Sequence, residues 1–452
     1  MKIVIIGNGK VGLKLATQLS EEDYDVILID QDEEKLKVAS NSLDVFCIAG
    51  NGADVEVMKQ ADVANADLVI ACTSEDELNM LCCLLAKYMG AENTIARVRN
   101  PVYYQQMQLL KEDLHLSMAV NPEKIVSNEI ARVLLFPDTN KVEKFVKGKV
   151  ELVQFQLKEK SMLDGVSLAE LYQKFQIKIL VCAVKRGNDV YIPGGDFVLR
   201  SGDKIYVTAS HFELERFFNA IGKRTRRIKN VMICGGGRVS YYLAQQLIET
   251  GMNVKIIEQN FQKCEDLCEK LPEATIIHGD ATDHELLIEE GIETADALVA
   301  LTGMDEENII MALYAKMKGV AKIVAKVNED SRVQMVEGLG IESIVSAKSV
   351  TADMILSYVR ARHNSAQNEN VETIYKFVNG RVEAAEFLVK KESKYTNVPL
   401  KDLKIKKNNL IACIVRKGQI IIPGGNDHVE IGDSVIVVTM EHKLNALRDI
   451  LL

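Results

Sequence analysis

The chain opens on a short apolar run, Lys2-Ile-Val-Ile-Ile6, followed by a glycine-rich turn. From Val11 to Ser20 the apolar residues then recur at helical spacing. Val26-Ile-Leu-Ile29 is a second run and ends on Asp30. Asp44 to Ala49, Leu68 to Cys72 and Thr94 to Val98 follow, each after a helix-like segment. Apolar strands alternating with helices predict βαβ units and a parallel sheet covered on both faces. Further on the pattern changes. Ile179 to Val184 and Lys204 to Thr208 are short alternating runs around Pro-Gly-Gly and Gly-Asp turns, which predicts short strands flanked by short helices.

Both patterns occur twice, and self-similarity of this kind defines the architecture before any motif does. Lys2-Ile-Val-Ile-Ile-Gly7-Asn-Gly9-Lys-Val-Gly12 lies over Lys229-Asn-Val-Met-Ile-Cys-Gly235-Gly-Gly237-Arg-Val-Ser240, and Asp30 falls on Glu258. One inserted residue later, Gly50 falls on Gly279, Asp54 on Asp283, Asp67 on Asp296 and Asn79 on Asn308. In the smaller unit, Ile192-Pro193-Gly194-Gly195-Asp196 and Gly202-Asp203 match Ile422-Pro423-Gly424-Gly425-Asn426 and Gly432-Asp433. The order is a large unit, a small unit, and the same again. The expected fold class is α/β: two Rossmann-like parallel-sheet lobes at 1–137 and 228–363, each followed by a small α+β lobe at 138–222 and 368–452. A basic stretch, Lys223 to Lys229, joins the halves, and a polar run, His363 to Asn370, joins the last two lobes.

Composition then removes whole classes. Hydrophobic residues make up 47% and charged residues 26%, an ordinary globular balance that excludes a disordered or collagen-like chain. The densest apolar stretch, Met80 to Ala86, falls far short of the roughly 18 residues that cross a bilayer. The N-terminus enters a strand directly, without a signal-peptide layout. A net charge of −9 argues against bulk nucleic-acid binding. The nine cysteines are odd in number and none sits in a CxxC pair, so free thiols are expected. Cys82-Cys83 and the helical pair Cys264 and Cys268 read as core thiols.

The candidate chemistry sits at the glycine turns. G-x-G-x-x-G alone is weak, but here it follows a strand, opens a helix, and precedes an acid at the end of the second strand. Gly7 permits the tight turn, Gly9 lets a pyrophosphate approach the backbone, and Gly12 lets helix and strand pack closely. The helix N-terminus offers free N–H groups and a positive dipole end to phosphates. Asp30 would accept hydrogen bonds from a ribose diol and repel a 2′-phosphate, which favours NAD or an adenine nucleotide over NADP. The second copy keeps Gly235, Gly237 and Glu258, but has Ser240 for the third glycine and a flexible Gly236 beside it. Thr73-Ser74 and Thr302-Gly303 end the fourth strands, where a hydroxyl could bond a ribose or phosphate or cap the next helix. Arg97 and Lys326 end the fifth strands and could reach a phosphate.

Catalytic signals are missing where an enzyme would need them. A dehydrogenase requires a proton-transfer residue beside the nicotinamide. The small lobes carry His211, His428 and His442 at unmatched positions, and no repeated His, Lys or Arg/carboxylate constellation is evident. His278, Asp280, Asp283 and His284 suggest a metal, but their counterparts Ala49 to Val55 contain no His.

The tandem order resembles two fused RCK (KTN) modules, the family of cytoplasmic regulatory subunits of the Trk potassium uptake system. The resemblance covers essentially the whole chain. Its motifs are Gly7-x-Gly9-x-x-Gly12, Asp30, Gly50-Asn51-Gly52, Thr73-Ser74, Ala96-Arg97-Val98-Arg99, Asn121-Pro122-Glu123 and the two Pro-Gly-Gly turns. It implies a first nucleotide site formed by Gly7, Asn8, Gly9, Lys10, Val11, Gly12, Asp30, Asn51, Thr73, Ser74 and Arg97. It implies a second formed by Gly235, Gly236, Gly237, Arg238, Val239, Glu258, Thr302 and Lys326. Departures are Ser240, Lys326 for arginine, and Ser346-Ala347-Lys348 where the first half has Asn121-Pro122-Glu123. The segments Glu123 to Phe136 and Lys348 to Arg362 resemble the helices through which such modules pair.

The resemblance further implies NAD(H) or ATP/ADP as ligand, no catalysis, and no metal. The implied partner is a TrkH-like membrane potassium-transporting subunit, met at the inner face of the cell membrane by a homo-oligomeric ring, expected as a tetramer. The alternative is an NAD-dependent oxidoreductase with duplicated dinucleotide-binding domains. A redox-sensing DNA-binding regulator would need a basic recognition helix, and none is evident.

Overall fold

A computed structural model of the chain describes all residues except 111–112, 136–140, 146–149, 160, 222–227, 342, 367–370, 379–380, 441–443 and 445. The first parallel sheet contains β1 (Lys2–Ile6), β2 (Asp25–Asp30), β3 (Phe46–Ala49), β4 (Leu68–Ala71), β5 (Asn93–Arg97) and β6 (Met118–Val120). Helices α1 (Lys10–Glu21), α2 (Glu33–Ser42), α3 (Val55–Gln60), α4 (Asp76–Met89), α5 (Pro101–Leu110) and α6 (Pro122–Leu135) alternate with the strands. The strand order is β3-β2-β1-β4-β5-β6, the doubly wound arrangement that reverses between β1 and β4. The central strands β1 and β4 are buried from Ile3 to Ile6 and from Leu68 to Ala71, because helices cover both faces. The short sixth strand lacks the length that would mark it in the sequence.

A five-stranded antiparallel sheet follows. It is built from β7 (Lys141–Phe145), β8 (Val150–Gln156), β9 (Leu180–Arg186), β10 (Asp189–Tyr191) and β11 (Lys204–Ala209), in the order β10-β9-β11-β8-β7. Helices α7 (Leu168–Phe175) and α8 (His211–Ala220) accompany it. Phe155, Phe217 and Phe218 form its aromatic centre, with ring centroids 5.3–5.9 Å apart.

The second half repeats the plan. Its parallel strands are β12 (Asn230–Cys234), β13 (Asn253–Glu258), β14 (Thr275–His278), β15 (Ala297–Ala300), β16 (Lys322–Lys326) and β17 (Ser343–Val345), in the order β14-β13-β12-β15-β16-β17. They alternate with α9 (Arg238–Glu249), α10 (Phe261–Lys270), α11 (His284–Glu289), α12 (Asp305–Met317), α13 (Asp330–Gly338) and α14 (Ala347–Ala366). The last sheet, β18 (Val371–Phe377), β19 (Val382–Leu388), β20 (Asn409–Arg416), β21 (Gln419–Ile421) and β22 (Ser434–Thr439), has the order β18-β19-β22-β20-β21. The two small lobes share even a β-bulge: pairing skips Cys182 opposite Tyr206/Val207 and Ala412 opposite Ile436/Val437. Much of the basic stretch 223–229 and the end of the polar run, 367–370, lie outside the described residues; α14 carries the chain on to Ala366.

Contacts group the lobes by kind, not by sequence order. One compact unit is Met1–Ile130 with Asn230–Leu356, and the other is Ala131–Lys229 with Ser357–Leu452. Within the first unit, Asn121 Nδ2 donates to Tyr242 Oη at 3.1 Å and Gln246 Nε2 to Ser127 Oγ at 2.9 Å, joining α6 of one lobe to α9 of the other. Within the second, one buried cluster takes Leu152, Cys182 and Tyr206 from the first sheet and Phe377, Ala384, Cys413 and Val438 from the second. Tyr206 and Phe377 lie 5.1 Å apart there.

The small lobes contain a repeated charge pair that sequence reading missed. Arg186 Nε and Nη2 clamp Asp203 at 2.8 Å each, and Arg416 Nε and Nη2 clamp Asp433 at 2.9 Å each. Both aspartates are buried and also accept a backbone N–H, from Arg200 and Glu430. The arginines end β9 and β20 and the aspartates sit in the Gly-Asp turns, so only strand pairing brings them together. The carboxylate raises the pKa of each guanidinium, and the role is structural.

Eight cysteines are buried or half-buried, but Cys268 is exposed, so the expected core pair Cys264 and Cys268 is only half a core pair. Its α10 position places it on the outer face, while Cys264 bonds Glu258 O at 3.3 Å. Burial pushes the Cys72, Cys82, Cys234 and Cys413 thiols up to about 12. Raised thiols stay protonated near neutral pH, and only thiolate reacts. Brief iodoacetamide labelling at about pH 8 should therefore mark Cys268 first and spare these four, as read by peptide mass spectrometry. Asp433→Ala should destabilise the second small lobe by about 3 kcal/mol in urea titration, because it removes two bonds from Arg416, which keeps only Glu430 and His428 O, and strands the Glu430 N–H.

Candidate functional site

The first site is built where β1 ends. Gly7 has φ +106°, and a Cβ there would lie 2.9 Å from Thr73 N, so the turn touches the end of β4 backbone to backbone. Gly12 is packed harder still: a Cβ would lie 1.9 Å from Gly7 O. That seats α1 directly on the turn. Gly9 is the N-cap of α1, has no side-chain cap bond, and faces open space, with nothing within 4 Å of an added Cβ. The first N–H groups of α1 therefore meet open space beside exposed Lys10, while Val11 packs inward. A helix start open in this way can take an anion, since free N–H groups and the helix dipole both favour negative charge.

Asp30 at the end of β2 accepts the N–H groups of Asn8 and Asp32. Asn8 is buried; its Nδ2 donates to Lys35 O at 2.9 Å, and its Oδ1 has no partner. Asn51 is exposed and holds its own turn by accepting from Ala53 N at 3.0 Å. Ser74 is exposed at the mouth. Arg97 Nη2 donates to Thr73 O, while its buried Nε has no partner. Burial pushes the Arg97 guanidinium below its ordinary pKa, as expected for a cation short of an anion.

The second site repeats this frame with exchanged parts. Gly235 has φ +102°, and a Cβ on it would lie 3.0 Å from Leu301 C and O. Gly237 faces the same open space as Gly9, beside exposed Arg238, and Val239 is buried. Lys326 Nζ donates to Leu301 O at 3.4 Å, and burial lowers its pKa against the opposing pull of Asp305 and Glu123. Gly236 is not there for flexibility. A Cβ on it would meet Leu267 at 2.7 Å and Glu258 Cβ and Cγ at 3.0 Å, so the glycine makes room for an acid one methylene longer than Asp30. Glu258 is buried and accepts from Gly236 N at 2.6 Å and Asn260 N at 2.8 Å. Ser240 is likewise compensated. Its hydroxyl donates to Gly235 O, a bond that the Cys72 thiol makes to Gly7 O at 3.4 Å in the first copy and that Leu301 cannot make.

Thr73 and Thr302 are not the helix caps that sequence suggested, since the N-cap positions are Glu75 and Met304. Both hydroxyls bond a buried asparagine on the following helix, Asn79 or Asn308, and accept the N–H of the N-cap residue, Glu75 at 3.4 Å or Met304 at 3.3 Å. The repeat matches these asparagines in sequence, but nothing in sequence reveals what they grip. The His278 segment gathers no metal set. His278 meets Gln259 O, Asp280 closes a turn on Thr282, Asp283 caps α11, and His284 stacks on Tyr314. Among the described residues no group of three metal-ligating side chains occurs, and no helix is long and apolar enough to cross a membrane.

Residues 3–122 and 231–347 match the TrkA-N domain, and residues 152–222 and 384–452 match the TrkA-C domain. The chain is 33% identical over 450 residues to a Trk system potassium uptake protein TrkA homolog of Archaeoglobus fulgidus, covering 100% of both chains. It is 31% identical over 456 residues to the TrkA protein of Halomonas elongata, covering 100% of this chain and 98% of that one. Among solved structures it is similar to the GsuK channel bound to NAD, with TM-score 0.64 and 18% identity, covering 97% of this chain and 76% of that chain. GsuK bound to ADP gives TM-score 0.51 at 17% identity, covering 80% and 69%. At these identities the structures speak for the fold alone.

The exchanged parts make a test. Gly236→Asn alone should lower the melting temperature of the chain by overpacking Leu267 and Glu258, a cost of about 1–3 kcal/mol. Adding Glu258→Asp should restore part of it, since the Leu267 contact remains, as read by calorimetric unfolding of the single and double variants.

Proposed function

The chain belongs to the TrkA family, and from that membership we propose that it is a nucleotide-sensing regulatory subunit of a membrane potassium uptake system. The observations that carry the reading are the open space over Gly9 at the uncapped start of α1 and, at the end of β4, Arg97 bonded to Thr73 O with its buried Nε lacking a partner. Those residues fit the phosphates of NAD(H) or of ATP and ADP. Asp30 lies on the rim, only half-buried, and suits a ribose diol. The nucleotides in the GsuK structures and the names of the curated relatives support the same reading. The site residues are those set out from sequence for both copies, with Asn79 and Asn308 added behind them.

In this reading the nucleotide is a signal and no bond is made or broken. It shifts an equilibrium between conformations only by its differential affinity for them. Arg97 is the group placed to distinguish phosphate number, because a buried, under-bonded guanidinium gains most from an added charge. The receiver is a TrkH-like membrane subunit, contacted at the inner face of the membrane by a homotetrameric ring of this chain.

The test is calorimetric titration with ATP, ADP, NAD and NADH, followed by pull-down with the membrane subunit. Asp30→Ala should weaken binding at the first site by about ten-fold or more, the loss expected of a charged hydrogen-bond acceptor, while the far-ultraviolet circular dichroism is unchanged. Unchanged affinity in that variant would remove the site assignment. Turnover of nicotinamide absorbance with any substrate would replace the regulatory reading by the oxidoreductase one.

A further inference from the structure

In both parallel-sheet lobes the helix after the fourth strand opens on the same spacing, Asp76-x-x-Asn79 in α4 and Asp305-x-x-Asn308 in α12. Both asparagines are wholly buried. Asn79 Oδ1 accepts from Thr73 N and from Thr73 Oγ1, each at 2.8 Å. Its Nδ2 donates to Thr73 O at 3.3 Å and to Arg97 O at 3.0 Å. Asn308 repeats all four bonds, at 2.8 and 3.0 Å to Thr302 and at 3.3 and 2.9 Å to Thr302 O and Lys326 O. One turn earlier, Asp76 Oδ2 accepts the N–H groups of Arg99 and Asn100, and Asp305 Oδ2 those of Asn328 and Glu329. A single helical turn thus ties the ends of two strands together, because residues three apart share one helix face.

This network also decides the polarity of the threonine hydroxyl. A backbone N–H can only donate, so the asparagine atom facing Thr73 N is its oxygen. The hydroxyl has one proton, and the asparagine oxygen at 2.8 Å is a nearer acceptor for it than Glu75 O at 3.3 Å. One lone pair accepts Glu75 N at 3.4 Å, and what the hydroxyl retains for a ligand is the other. A lone pair attracts a hydroxyl donor and repels a phosphate oxygen.

We propose that Asn79 and Asn308 are positioning residues that hold Thr73 and Thr302 as acceptors, so that each site takes a ribose hydroxyl at that point and leaves phosphate to Arg97 or Lys326. The proposal rests on the nucleotide reading of the same sites and assigns the division of labour within them. Neither asparagine touches the ligand.

The experiment uses the full chain with its second turn blocked by Gly237→Glu, a position with open space for the added side chain. NAD and inorganic pyrophosphate are the probes, the second having no hydroxyl to donate except as an acid. Thr73→Val should weaken NAD by about ten-fold and leave pyrophosphate within about two-fold, since only the first ligand loses a bond. Asn79→Ala leaves the threonine proton only the longer bond to Glu75 O, so that it can turn to a phosphate, and should shift the NAD-to-pyrophosphate preference in the same direction. Asn308→Ala, which removes the same bonds from the other lobe, should lower stability equally and leave that preference unchanged. Asn79→Asp keeps an acceptor oxygen where Oδ1 stands and loses only the two Nδ2 bonds; it should hold the preference of the unaltered chain, and serves where the alanine variant does not fold. Equal weakening of both probes, or an unchanged ratio in a chain that binds NAD, overturns the proposal. Absence of NAD binding in the unaltered chain overturns the nucleotide reading itself, and this assignment with it.

Discussion

Everything at the candidate sites depends on backbone meeting backbone at the end of the first strand. Gly7 leaves no room for a Cβ against the end of β4, and Gly12 leaves none against Gly7 O. Close contact at these two points seats α1 with its free N–H groups at the carboxyl edge of the sheet, beside the fourth strand. It also brings Thr73 within reach of the turn, and through Asn79 it engages the end of β5. A larger residue at either glycine would move the helix and the cradle together.

The second copy shows which parts of this arrangement are rigid and which are exchangeable. The close approach of Gly235 to Leu301 is kept, and so is the open space over Gly237. Around them the chemistry moves in pairs. A longer acid goes with a smaller neighbour, as Glu258 with Gly236 against Asp30 with Asn8. A serine at the third glycine position goes with a leucine where the first copy has a thiol. In each pair one hydrogen bond or one packing volume is preserved while both residues change. A single-position comparison therefore misjudges the second site as degraded, when its internal bonds are complete.

The same economy extends to the small lobes, where Arg186 with Asp203 and Arg416 with Asp433 lock equivalent turns. Their aspartates are buried and fully bonded, which makes them parts of the frame. The groups matched at the glycine turns, the strand-two acids and the strand-end cations are, in the proposed reading, those that bind and position a nucleotide.

Much of the fold was legible along the chain, since the helical and strand periods of the large lobes and the Pro-Gly-Gly turns are local signals. The glycine turns, the strand-two acids and the strand-end cations were legible too, each defined by its place relative to a strand. Three things were not. Arg186 and Asp203 are joined only by strand pairing, so no spacing announces them. Asn79 lies in an apolar helical run, and its four bonds reach residues set by sheet order. Cys268 shares its helix with Cys264, but which face turns inward is decided by the sheet it packs on. By itself, then, the sequence determined the elements, their duplication and the glycine turns, because these follow from local period and backbone sterics. The tertiary structure alone decided that like lobes pack with like, across the sequence order, and which polar groups meet. Those depend on apolar faces that find their cover in distant parts of the chain.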